Sequence, residues 1–305
     1  MKQVRLGGSA LRVPAVAVGC MRLDQLSVAE AEKFVHGAMD MGLTFFDHAD
    51  IYGGGECERI FARAAHLNDD RREKVFLQSK CGIRKGLFDF SKSHILSSVD
   101  GILQRLGTEY LDMLLLHRPD TLMEPDEVAE AFDILHNSGK VRRFGVSNQS
   151  PLQMALLQKS MSQKILVNQL QLSITNCGMI RSGFNVNMEN AASVDHDGEV
   201  LSYCRLNDVT IQAWSPFQYG MFEGVFLGNA RFPALNKTID DIAVRYGVSN
   251  TTIAAAWILR HPANMQVVSG TMSLPRLQQI AQAATLTLSR EEWYEIFRAA
   301  GNELP

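Results

Sequence analysis

Nothing in this sequence is gathered into a cluster that would declare a metal or disulfide protein. Its 5 cysteines, Cys20, Cys57, Cys81, Cys177 and Cys204, form no Cys-x-x-Cys pair and are odd in number. A disulfide framework is therefore not expected, and a reducing cytoplasm is the expected compartment. None of the 8 histidines follows another at two-, three- or four-residue spacing, so the ligand pattern of a metal-dependent hydrolase is missing. Charge of one sign is not concentrated either. The 30 basic and 33 acidic residues are interspersed and leave a net charge of −3. Nucleic acid and anionic membranes are poor partners for such a surface. No uncharged run reaches the roughly 18 residues a membrane helix needs. The first twenty residues are interrupted by Arg12 and Pro14 and do not read as an export signal.

A Gly-x-Gly-x-x-Gly after the first strand is also absent, and Gly53-Gly54-Gly55 has the wrong spacing for it. That argues against an open dinucleotide-binding sheet. What remains is a chain of 305 residues, 46% hydrophobic, which is enough for one large core. The length suits a single α/β barrel domain spanning 1–305.

The pattern along the chain points the same way. Val4–Val13 reads as a hairpin around Gly7-Gly8. Short apolar runs follow at Ala15–Val18, Thr44–Phe46, Val75–Leu77, Leu111–Leu116, Val141–Val146, Ile165–Val167, Val209–Ala213 and Met265–Val268. Nearly all are continuous rather than alternating, as in parallel strands buried on both faces. Punctuated helices separate them. Ser27 and Glu30 predict a capping box, Ser150-Pro151 a helix start, and Gly42, Gly107 and Gly139 helix ends. Strand and helix alternating in this way predict a (β/α)₈ TIM barrel with an N-terminal β-hairpin. Two long segments, Ser173–Gly198 and Pro216–Asn236, break the rhythm after the sixth and seventh strands. Loops after barrel strands line the active-site face, so both are candidate lids and substrate walls.

Successive strands end in ionisable residues: Asp47 after Thr44–Phe46, Lys80 after Val75–Leu77, and His117 after Leu111–Leu116. Tyr52 stands five residues beyond Asp47. These groups would meet at one barrel rim. An ammonium beside a phenol favours its phenolate and lowers its pKa, while a carboxylate keeps the buried ammonium charged. An imidazole alongside can orient a carbonyl oxygen by hydrogen bonding. Such a group suits protonation of an alkoxide as it forms. Each residue alone has an ordinary explanation as a solvated loop charge or a satisfied rim histidine; their co-occurrence carries the reading.

The motifs Phe46-Asp47-His48-Ala49-Asp50-Ile51-Tyr52-Gly53, Ser79-Lys80, Leu115-Leu116-His117-Arg118, Gly145-Val146-Ser147-Asn148 and Trp214-Ser215-Pro216-Phe217 resemble the successive signatures of the aldo-keto reductase superfamily. This resemblance implies an NADPH-dependent oxidoreductase acting on small aldehydes and ketones. It makes Tyr52 the proton donor, Lys80 its tuner, Asp47 the partner of the lysine, and His117 the residue orienting the substrate. It assigns Ser147, Asn148 and Gln169 to the nicotinamide amide and Trp214 to stacking on the ring. Ser215 and Phe217 would begin the loop over the pyrophosphate, and Met21 joins the cofactor contacts. Ser269, Gly270 and Thr271, with Arg276 and Gln279, resemble the adenosine-phosphate motif.

The chain also departs from the family's pattern. His48 replaces a common Thr, Ser269-Gly270 lacks a basic residue often found there, and Ile280 replaces a common Asn. Arg276 is what favours NADP over NAD. A monomer is expected, with a homo-oligomer left open. The alternative within the superfamily is a nicotinamide-binding regulatory subunit with little turnover, similar to potassium-channel β-subunits.

Overall fold

The computed structural model describes residues 2–304. Eight parallel strands close into a barrel in chain order. They are β1 (Val16–Gly19), β2 (Phe45–Asp47), β3 (Phe76–Cys81), β4 (Met113–Leu116), β5 (Phe144–Ser147), β6 (Ile165–Gln171), β7 (Thr210–Trp214) and β8 (Met265–Ser269). Each lies within a residue or a few of a run expected from sequence. The main trimming is at Leu111 and Val141, which pair with one another as an isolated bridge below β4 and β5.

The strands are buried nearly end to end because helices cover the outside of the barrel and side chains fill its inside. The first of those helices, Val28–Asp40, begins with the Ser27–Glu30 capping box. Ser150 and Gln153 form a second box before Pro151–Ser160. Gly107 ends Lys92–Leu106 in a left-handed conformation that other residues adopt at a cost. At the far end of the chain, Trp257 and Trp293 stack at 4.8 Å and donate their indole N–H groups to each other's carbonyls. That contact clamps Arg290–Ala299 onto Asn250–Arg260.

The N-terminal hairpin, Gln3–Arg5 with Arg12–Pro14, closes the barrel at the strands' starting end. Its Gly7 N–H donates to Thr210 Oγ1 at the first residue of β7, at 2.8 Å. Gly7 lies against the Leu166 backbone, where an added Cβ would sit 2.7 Å from the carbonyl oxygen. The opposite end of the barrel is left to the loops that follow the strands.

The two long loops separate in role. Residues 216–236 fold as a small hairpin, Gln218–Tyr219 with Gly224–Val225, and run into the helix Pro233–Tyr246. Phe217, Met221 and Phe222 of this loop wall the cleft at the open end. Residues 173–198 contribute nothing to that cleft. Their Phe184 instead packs on Tyr294 and Phe297 of the last helix, at ring distances of 6.0 and 5.1 Å. The expectation that both loops wall one site is therefore corrected. An apolar anchor on the C-terminal helix draws the first loop to the side.

Candidate active site

The rim is built by strand ends. Asp47 is the last residue of β2, Lys80 is the fifth residue of β3, and His117 directly follows β4. Tyr52 opens a tight turn in which Gly53, Gly54 and Gly55 all take positive φ. Three consecutive left-handed residues reverse the chain into Glu56–Ala65 and present the tyrosine over the barrel mouth. The glycine run that had the wrong spacing for a phosphate loop thus has a geometric use here.

The structure brings all four residues together. Lys80 is fully buried and donates to Asp47 at 2.8 Å, to the His48 carbonyl at 2.8 Å and to the Tyr52 hydroxyl at 3.1 Å. These contacts use the three protons of the ammonium. The Tyr52 and His117 rings meet edge to face at 5.9 Å. Burial alone would lower the lysine's pKa, but Asp47 and Tyr52 outweigh it and the net shift is upward. Burial also raises the Tyr52 pKa, with Lys80 pulling the other way. The sequence-based expectation of a lowered phenol pKa is corrected, because desolvation of the phenolate exceeds the attraction of an ammonium already shared with Asp47. Burial, then the nearby Lys80 and Arg118 cations, holds His117 neutral far below the usual histidine range. A neutral imidazole keeps one N–H to donate.

A second polar layer lies beneath, inside the barrel. Gln78 of β3 donates to Asp47 at 2.6 Å and to Gln212 of β7 at 2.8 Å. Gln169 of β6 also donates to Asp47 and Gln212, at 3.1 and 3.0 Å. Gln212 returns a bond to Gln78 and passes another to Gln266 of β8 at 2.8 Å. Gln266 ends on the Pro14 carbonyl of the hairpin at 2.7 Å. Buried amides linked without a gap form a ladder from the rim carboxylate to the barrel floor. Gln78, Gln212 and Gln266 are not among the residues expected from sequence; the available signal was a glutamine flanked by apolar residues within each of three strands.

A cleft of about 1150 Å³ opens above this layer. Along it lie Met21, Ser147, Asn148, Gln169, Trp214, Ser215 and Phe217, followed by Ser269, Gly270, Thr271 and Arg276. Gln279 is exposed on its helix and does not line the cleft, whereas Ile280 does. Asn148 and Ser215, each next to a strand end, have positive φ of 56° and 50°. Strained non-glycine backbone of this kind persists where the surroundings demand it. The Trp214 indole N–H donates to Asn148 Oδ1 at 3.2 Å, and Asn148 donates to Ser147 Oγ at 2.8 Å. Arg22, after β1, was not foreseen. Its guanidinium donates to the Gly270 carbonyl at 2.9 Å, bringing a cation to the Ser269-Gly270 pair, which has none of its own.

The Aldo/keto reductase family model matches residues 15–300, and the chain belongs to that family. It is 34% identical to the uncharacterized oxidoreductase YcsN of Bacillus subtilis, with all of both chains covered. It is 33% identical to a 6-dehydroglucose reductase of Agrobacterium fabrum, covering 90% of this chain and 89% of that one. Among solved structures, a thermostable aldo-keto reductase crystallised with the inhibitor epalrestat superposes with a TM-score of 0.80. That match has 25% identity and covers 98% of this chain and 100% of the other.

Proposed function

We propose that this protein is an NADPH-dependent reductase of aldehydes and ketones in which Tyr52 is the general acid. The observation that carries the reading is the Lys80 ammonium held between Asp47 and the Tyr52 hydroxyl at the floor of the cleft. The polar residues along the cleft suit a dinucleotide. Buried Ser269 Oγ has no partner among the described residues, and Gly270 leaves the backbone approachable. Arg22 and Arg276 supply positive charge at that end for phosphate. Trp214 offers an aromatic face at the other end, and Ser147, Asn148 and Gln169 offer amide and hydroxyl partners.

When bound, the reduced nicotinamide supplies the hydride. Neutral His117 donates a hydrogen bond to the carbonyl oxygen and aims it at Tyr52. The Tyr52 proton passes to that oxygen as negative charge grows on it, and Lys80 stabilises the phenolate left behind. Asp47 keeps Lys80 charged throughout, and the glutamine ladder holds Asp47 in place. A retained proton on Tyr52 across the neutral range is what a donor requires.

The test is a panel of aldehydes and ketones assayed with NADPH and with NADH. Turnover with NADPH at least tenfold more efficient than with NADH is expected, from the charge-assisted bonds of a 2′-phosphate. Arg276→Ala should weaken NADPH and leave NADH nearly unchanged. No reduction of any carbonyl compound by folded, NADPH-saturated protein would overturn the reading.

A further inference from the structure

The charged side chains lining the cleft are Arg22, Asp47, Arg118 and Arg276, with His117 beside them. Arg22 and Arg276 stand at the Gly270 end. Asp47 is neutralised by Lys80 at 2.7 Å, and His117 is neutral. Arg118 is different. It follows His117 directly, is half-buried, and its guanidinium sits 5.7 Å from the centre of the Trp214 ring. Among the described residues it makes no hydrogen bond and no ion pair, unlike the buried or half-buried Arg72 and Arg105. A guanidinium has five N–H donors in a planar fork and stays charged. Half-buried along the cleft beside His117 and without a protein acceptor, its donors are free to meet an acceptor brought by the ligand.

We infer that Arg118 is a specificity-determining residue that binds a carboxylate carried by the substrate, so that the preferred carbonyl compounds are aldehyde acids and oxo acids. This rests on the carbonyl-reductase reading above and names its substrate class. A carboxylate matches the guanidinium fork in two parallel bonds, which a hydroxyl or an ester does not. The cation next to the neutral His117 gives this end of the cleft a net positive charge for that anion. Ile51 and Ile83, which line the same cleft, offer apolar surface to the carbon chain between the two polar ends. The chemistry balances as a simple reduction. Hydride adds to the carbonyl carbon, the π pair moves to oxygen, and Tyr52 protonates it. The nicotinamide is oxidised, and the carboxylate is unchanged in the hydroxy acid.

The experiment compares succinic semialdehyde with its uncharged methyl ester, using NADPH and the full chain, in wild type and in Arg118→Gln. Wild type should favour the acid by about 10- to 100-fold in kcat/KM, the range a charge-assisted pair supports. Arg118→Gln should bring that ratio near one by raising KM for the acid, with the ester little changed. Arg118→Lys should fall between them, keeping charge and losing the fork. Equal efficiency of acid and ester in wild type overturns the inference while leaving the reductase reading intact. Equal losses on both substrates in Arg118→Gln do the same. Calorimetric titration of succinate into the NADP-bound protein decides the matter without turnover. Binding to wild type that Arg118→Gln abolishes supports the carboxylate site, and no binding to wild type refutes it. That readout stands even if no aldehyde is reduced, which would refute only the function on which the inference was built.

Discussion

Two buried ion pairs lie at opposite ends of β3, one shared with the start of β4 and the other with the end of β2, and they are built differently. At the floor of the barrel, Arg72 meets Asp112 at 2.8 Å. The rest of its fork is taken by Thr108 Oγ1 at 2.9 Å and by the carbonyls of Val75 and Tyr110 at 3.0 and 2.8 Å. Asp112 in turn accepts from the Leu77 N–H at 2.9 Å, and Arg72 lies over the Tyr110 ring at 3.7 Å. Arg142 also approaches Asp112, at 3.6 Å. At the rim, Lys80 and Asp47 are more deeply buried, yet one proton of the ammonium goes to a tyrosine that opens onto a cleft. A pair satisfied by the fold alone can do nothing but hold it. A pair that shares a proton with a cleft-facing phenol has something to offer a ligand. Barrel enzymes divide their two ends in this way, stability below and chemistry above.

The comparison breaks most visibly at Tyr52. Tyr52→Phe keeps the ring and should lower kcat by about 10² to 10⁴-fold, the usual contribution of a general acid, with a smaller loss of stability from the Lys80 bond that is removed. In wild type the reductive rate should fall only above the ordinary phenol pKa of about 10, because burial raises Tyr52, and the Phe variant should lack that alkaline limb. If steady-state assays show Tyr52→Phe keeping more than about a third of kcat, far short of a lost general acid, the donor is another group. Lys80→Met should be at least as damaging to kcat and should also destabilise, since it leaves Asp47 buried and unpaired.

Arg72→Met tests the other pair. Denaturant unfolding should show a loss of up to about 3 kcal/mol, the lower end of the range for breaking a buried pair because Arg142 still approaches Asp112 at 3.6 Å, while kcat per folded molecule stays at the wild-type value. A fall in kcat at constant folded fraction would show that the floor pair also feeds the rim. The glutamine ladder joining the two ends is tested by its own two ends. Gln78→Leu removes a bond to charged Asp47 and should cost about 1.5–3 kcal/mol together with a measurable fall in kcat. Gln266→Leu, at the hairpin end, should lower stability and leave kcat alone. Matching kcat losses in both would mean the ladder acts as one unit.

The smallest effects are pH dependences beside the rim pair. Burial lowers the His48 pKa to about 3, so the unfolded chain takes up a proton from pH 6.5 downward before the folded one does. Stability from this group is intact above pH 6.5 and drains away as pH falls toward 3. Burial and then Glu58 raise Asp50 to about 7, which works in reverse: stability is full below its unfolded pKa near 4 and is lost as pH rises through 7. Thermal melts between pH 4.5 and 8 should therefore show His48→Thr flattening the acid side and Asp50→Asn flattening the neutral side. Parallel shifts in both variants would refute the assignment.

Much of this molecule is legible in its sequence. Continuous apolar runs alternating with capped helices require parallel strands buried on both faces, and local chemistry such as the Ser27 and Ser150 caps depends on neighbours three residues away. The rim residues were legible for the same reason, since a charge ending an apolar strand has to emerge at the barrel's mouth. What sequence could not supply was anything depending on partners distant in the chain. The pKa direction of Tyr52 turned on how deeply the phenol is buried, a balance of desolvation against one shared ammonium. The loop of residues 173–198 left the cleft because Phe184 found an apolar seat on a helix more than a hundred residues later. Gln266 reads as a stray amide in an apolar strand until barrel closure sets it between Gln212 and Pro14. Arg22 reached Gly270 only through the closing of a barrel whose first and last strands lie side by side, and Arg118 has no acceptor among the described residues. Short-range periodicity is a property of the chain; the pairing or stranding of a buried charge is decided by whatever the fold carries to its side.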